Sequence, residues 1–157
     1  MSQEAAKGRD MERWQPRTCA ESLASAASQW PEQRAIFING HSWTFRELWA
    51  DVRRTAANLK RLGLRRGDHL AICMGNCYEW VTVFLGAGTL GAVTVPVNTR
   101  FKADEFAYCL RQADIRMLAI SDRFLKIDFI AMLREIAPGI DAGLPDPAPN
   151  EVNEQFR

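Results

Sequence analysis

Apolar positions recur at helical spacing in two stretches near the start of the chain. In T-C-A-E-S-L-A-S-A-A-S-Q-W, Leu23, Ala26, Ala27 and Trp30 follow Thr18, an N-cap residue with Glu21 three positions on, and Pro31 stops the helix. Thr44 and Glu47 repeat that capping pattern ahead of Phe45, Leu48, Trp49, Val52, Ala56, Leu59 and Leu62, a stripe that ends at Gly63. Between the two helices, A-I-F-I-N-G-H-S-W-T sets Asn39-Gly40 between two β-prone runs. That dipeptide accepts the positive φ angles of a type I′ turn, so a β-hairpin is expected.

Past Gly67-Asp68 the pattern alternates. H-L-A-I-C-M from His69 is a short apolar run suited to a buried strand, and Asn76 and Glu79 are expected to open a helix running to near Gly91. Ala92 to Val97 then predicts a strand, Ala103 to Gln112 a helix with Phe106 and Leu110 inward, Met117 to Ile120 a strand, and Phe124 to Ile136 a helix. Strands and helices in this order predict an α/β fold: a mostly parallel sheet flanked by helices, with the hairpin on its N-terminal side. Val93 to Val97 is expected to be a covered central strand. Four of the seven prolines fall at or beyond Pro138, where apolar periodicity fades, so the end of the chain predicts a flexible tail. The expected division is a polar segment 1–17, a folded part 18–141 and a tail 142–157.

Trp80 to Val97 holds no charged residue and approaches the length of a membrane span. Three glycines, three threonines and Pro96 argue instead for a buried helix running into a buried strand, and no membrane span is expected. The run also contains Gly86, Gly88 and Gly91, a literal G-x-G-x-x-G. Directly after Gly91 the chain reads Ala-Val-Thr-Val-Pro, which opens a strand and not a helix, so a dinucleotide loop is not expected here.

Charge narrows the partners. The chain carries 20 basic and 19 acidic residues, without the basic excess that a nucleic-acid backbone requires, so no nucleic-acid partner is expected. Arg53, Arg54, Lys60, Arg61, Arg65 and Arg66 cluster around the end of the second helix, where a solvated face is the simplest reading. No Cys-x-x-Cys pair occurs among Cys19, Cys73, Cys77 and Cys109, and His41 and His69 stand far apart, so reduced structural thiols and no metal site are expected. Met1 to Arg17 has no apolar core of a secretory signal, and a cytoplasmic location is expected.

The order of these elements, with W-T-F-R-E-L from Trp43, L-G-L-R-R-G-D-H-L-A-I from Leu62, N-C-Y-E-W from Asn76, G-A-V-T-V-P-V-N-T-R-F from Gly91 and E-F-A-Y-C-L-R-Q-A-D from Glu105, resembles the N-terminal part of the acyl-adenylate-forming enzymes, the AMP-dependent synthetases and acyl-CoA ligases. The resemblance implies activation of a carboxylic acid with ATP to an acyl-adenylate, with release of pyrophosphate, and transfer to coenzyme A. ATP, magnesium and coenzyme A are the ligands of the intact family. Its Ser/Thr/Gly-rich loop ending in Pro-Lys-Gly, its acidic residue for ribose and magnesium, and its C-terminal lysine have no counterpart among these residues. The only lysines are Lys7, Lys60, Lys102 and Lys126, and none lies in a glycine-rich loop.

The resemblance therefore implies an incomplete N-terminal lobe, a truncated or frame-altered member with no catalytic residue and no metal ligand of its own. Such a chain is expected to be inactive and to bind none of the three ligands by itself. The one candidate site residue is Arg100 in Asn98-Thr99-Arg100, which the resemblance places near the nucleotide phosphate of coenzyme A, and whose planar fork suits phosphate oxygens. The alternative reading is a non-catalytic α/β binding or interaction domain. In either case apolar surface left bare is expected to drive self-association.

Overall fold

The Thr18 hydroxyl accepts a hydrogen bond from the Glu21 N–H at 3.1 Å, and the Glu21 carboxylate accepts from the Thr18 N–H at 2.7 Å. This reciprocal box starts helix α1 (Cys19–Gln29) where the sequence places it. Thr44 and Glu47 make the same pair of bonds, at 3.2 and 2.8 Å, and open α2 (Phe45–Arg61). Backbone bonds from Thr18 and Thr44 are the first cause holding the Glu21 and Glu47 carboxyls below the ordinary glutamate value. A depressed folded-state value contributes stability above the unfolded-state value, and that contribution is lost as pH falls through the depressed one. Stability is therefore expected to drop on acidification below about pH 4, with a shallower drop in Glu47→Gln; denaturant midpoints measured across pH would show it, and an unchanged profile would count against the cap.

In the computed structural model, which describes residues 17–140, strands β1 (Arg34–Ile38) and β2 (His41–Thr44) pair antiparallel around Asn39 and Gly40, whose φ angles are 50° and 81°. Both angles are those of the expected type I′ turn. Helix α2 ends in a Schellman motif: Leu64 N–H bonds Leu59 O, Gly63 N–H bonds Lys60 O, and Gly63 sits at φ 97°. Leu64 is then buried beside Leu59.

The main sheet has three parallel strands, β3 (His69–Cys73), β4 (Val93–Pro96) and β5 (Ile115–Ile120), in the order β4-β3-β5. Residues alternate across it, so β3 sends Leu70 and Ile72 to one face and Ala71 and Cys73 to the other. The first face packs on α2 and α3 (Tyr78–Thr89) through Leu59, Val83 and Ala87. The second packs on α4 (Ala103–Gln112) and α5 (Phe129–Ile136) through Phe106, Phe129, Met132 and Leu133. A third cluster, around Leu23, Leu48 and Val52, seats α1 and the hairpin on α2 and α3. The expected α/β architecture is present.

Four expectations are corrected. Val93 to Val97 is not a central strand: β3, bonded on both sides, takes that place, and β4 is an edge with Val93 47% exposed. Pro96 carried the signal, since a residue without an N–H is tolerated at a sheet edge. Phe124 to Ile136 is not one helix; β6 (Arg123–Phe124) and β7 (Ile127–Asp128) form a small hairpin around Leu125 at φ 55°, and α5 starts only after Asp128, whose carboxylate accepts from Ala131 N–H at 2.9 Å. Asn76 does not cap α3; the extended residue before that helix is Cys77, without a side-chain cap. Leu62 and Trp30, expected inward, are 71% and 49% exposed, each at the residue where its helix ends. Of the expected polar segment 1–17 and flexible tail 142–157, residues 1–16 and the whole tail lie outside the described residues.

Candidate functional site

The chain leaves β3, crosses one face of the sheet as α3 and returns as β4. It then crosses the other face as α4 to reach β5 on the far side of β3. Strand order therefore reverses between β3 and β5, and in open α/β sheets ligands bind outside the carboxyl ends of the strands at such a point. Three loops meet that edge: Met74–Cys77 after β3, the turn from Val97 to Lys102 after β4, and Ser121–Asp122 after β5. Val97 N–H bonds Ile72 O at 2.9 Å and Ser121 N–H bonds Cys73 O at 3.2 Å, so the ladder continues into two of them. Gly75 lies under the Phe124 ring, where an added Cβ would come within 2.2 Å of a ring carbon. The β6–β7 hairpin thus packs down on the end of β3.

Arg100 stands at this edge. Asn98 shapes its turn: the side-chain Oδ1 accepts from Arg100 N–H at 3.0 Å and the carbonyl from Phe101 N–H at 3.2 Å. Buried Val97 and half-buried Phe101 tie both sides of the turn to the α4–α5 core. Arg100 itself is exposed and makes no ion pair among the described residues. A guanidinium held out this way can pair with two phosphate oxygens.

The other ligands implied by the sequence find less. Among the described residues no group of three or more His, Cys, Asp or Glu side chains could hold a metal ion. Two of the three glycines of the literal G-x-G-x-x-G have structural duties. Gly86 faces α2, where an added Cβ would stand 3.2 Å from the Ala56 nitrogen, and Gly91, at φ 72°, ends α3 in a second Schellman motif through Ala92 N–H to Ala87 O. No helix among the described residues is long and apolar enough to cross a membrane.

At the opposite end of the sheet, Gly67, Asp68, His69, Asp114 and Arg116 border an open depression of about 320 Å³. Its groups are engaged with each other and with backbone: Asp68 pairs with Arg116 at 3.1 Å and accepts from Arg65 N–H at 2.8 Å, and His69 Nδ1 lies 2.5 Å from the Ala113 carbonyl.

A polar cluster that periodicity did not reveal fixes the start of α3. Tyr78 stacks on Trp43 at 4.0 Å and donates its hydroxyl to Asp51 at 2.8 Å, and Asp51 also pairs with Arg54 at 2.8 Å. Burial, and then the bond to Asp51, raise the Tyr78 phenol well above its ordinary value, so it stays a neutral donor. Burial likewise pushes the Cys73 thiol up to about 11 and raises Cys77, which makes both poor nucleophiles at neutral pH. The four cysteines are free thiols.

A family model described as AMP-binding enzyme matches residues 23–151. The chain is 35% identical over 127 residues to the 3-[(3aS,4S,7aS)-7a-methyl-1,5-dioxo-octahydro-1H-inden-4-yl]propanoyl:CoA ligase of Rhodococcus jostii, covering 81% of this chain and 25% of that protein. It is 29% identical over 133 residues to the mitochondrial medium-chain acyl-CoA ligase ACSF2 of Danio rerio, covering 83% and 22% respectively. Among solved structures, the anthranilate CoA ligase AuaEII in complex with anthranoyl-AMP superposes with a TM-score of 0.69 at 28% identity, over 76% of this chain and 22% of that one. The chain spans about a quarter of the length of the curated relatives it matches.

Proposed function

The chain belongs to the AMP-binding enzyme family as its N-terminal part, and from that premise we propose that residues 18–141 are the opening portion of the adenylation domain of an ATP-dependent acyl-CoA synthetase. The reaction is carboxylic acid plus ATP to acyl-adenylate and pyrophosphate, then transfer of the acyl group to the thiol of coenzyme A. The observation that carries this reading is the family match over most of the described fold, joined to a strand-order reversal between β3 and β5, with Arg100 in the loop after β4 at the same carboxyl edge of the sheet. Arg100 is assigned to the nucleotide phosphate of coenzyme A, because it is an exposed guanidinium, without an ion pair among the described residues, on a turn whose backbone is held by Asn98. Coenzyme A carries the charge Arg100 would meet and supplies the acceptor thiol; the chain's own part is to hold that phosphate at the sheet edge.

The 157 residues contain no Pro-Lys-Gly loop and no metal cage among those described, so the chain alone is proposed to be inactive. ATP–pyrophosphate exchange with aliphatic and aromatic acids is expected to stay at background, and turnover above it would overturn the assignment as an incomplete catalyst. For Arg100, amide NMR is expected to show coenzyme A shifting the Asn98–Lys102 signals more than dephospho-coenzyme A does, a difference that Arg100→Ala removes. Equal shifts by both ligands would defeat the role given to Arg100.

A further inference from the structure

The fourteen residues from Arg53 to Arg66 carry six cations and no carboxylate. Two of the six are engaged: Arg54 pairs with Asp51, and Arg53 lies over the Trp49 ring at 6.0 Å. The other four, Lys60, Arg61, Arg65 and Arg66, are exposed and make no ion pair among the described residues. The next carboxylate along the chain, Asp68, is occupied by Arg116 and by the Arg65 N–H. Among these cations stands Leu62, 71% exposed at the end of α2. The corner is rigid. The Schellman bonds of Gly63 and Leu64 fix the backbone on either side, and Leu64, 1% exposed, anchors it in the core.

We propose that this corner between α2 and β3 docks on a membrane leaflet rich in anionic lipid headgroups, with Leu62 entering the interfacial layer and the four cations resting on the headgroups. Charge complementarity favours that occupant, because the formal net charge of the whole chain is only +1 and the positive field is therefore local. The leucine decides between anionic partners. A nucleic acid would satisfy the cations but leave Leu62 in water, and the stretch offers no exposed aromatic ring for base stacking. A bilayer interface accepts an apolar side chain and its cationic flank together.

The test is co-sedimentation of the 157-residue chain with vesicles of phosphatidylcholine containing roughly 30% phosphatidylserine, against pure phosphatidylcholine, at about 0.1 M salt. Binding is expected only to the anionic vesicles and should weaken as salt rises. Arg61→Gln with Arg65→Gln should weaken it about 30-fold, at about one order of magnitude per 1.4 kcal/mol and about 1 kcal/mol per cation. Leu62→Ser should weaken it as well, while Arg111→Gln on α4 should not; circular dichroism melts confirm that each variant folds. Arg66 is left intact because its side chain packs against Gly91. Equal binding to both vesicle types, a double variant within about twofold of the parent, or tighter binding to duplex DNA than to the anionic vesicles would overturn the proposal.

Discussion

Phe106→Ala is expected to lower the unfolding free energy by about 3–5 kcal/mol, as measured by denaturant titration. Phe106 is 0% exposed and sits in the cluster formed by Ala71, Cys73, Val97, Phe129, Met132 and Leu133. Truncation removes the transfer energy of the ring and leaves a hole that strand and helix backbones cannot close, since α4 is held at its start by the Lys102 N–H bond to Glu105 at 3.0 Å. A domain of this size is stable by only about 5–15 kcal/mol, so the loss takes a large part of the total. Phe106→Leu, which keeps most of the volume, should cost much less. A Phe106→Ala loss under about 1 kcal/mol would mean that the cluster is not the core of the α4–α5 face.

The second large effect is expected at Gly86. An added Cβ there meets the Ala56 nitrogen at 3.2 Å and Thr55 Cγ2 at 3.2 Å, so even alanine asks α2 to give by a few tenths of an ångström. Gly86→Leu must push α2 and α3 apart, and overpacking of this kind costs about 1–3 kcal/mol. At this chain length that corresponds to a melting temperature lower by about 3–10 °C, readable by circular dichroism. Gly88→Ala is the control, because nothing lies within 4 Å of a Cβ there. If Gly86→Leu melts with the parent, the helices are not in the close contact described. A phosphate-cradling role for Gly86 would instead predict lost ligand binding with stability unchanged.

Much of the element list was legible in the sequence, and the misses have a common cause. The helix Ala103–Gln112 and the turn at Asn39-Gly40 appear where periodicity and turn chemistry put them. The segment from Phe124 to Ile136 fails as a single helix because Leu125 takes a positive φ that its residue type disfavours, a conformation accompanied by the packing of the Phe124 ring over Gly75. Cys77 precedes α3 without a side-chain cap, in a helix whose first residue, Tyr78, is already tied to Trp43 and Asp51. Arg100 could be singled out from the text, but its exposure and the Asn98 bond that sets its turn could not.

Features set within one helical turn or one hairpin were determined by the sequence itself: the caps at Thr18 and Thr44, the type I′ turn, and the Gly63 helix end. Each depends on groups at most about five residues apart, so the local text contains all of its physics. Tertiary structure alone decided that β3 and not β4 is the central strand, that Gly86 is a helix contact, and that Leu62 stands in water among four cations. Those outcomes depend on which distant segments pair and on which face they cover. An apolar residue pattern states that a surface will be buried, without naming the partner that buries it.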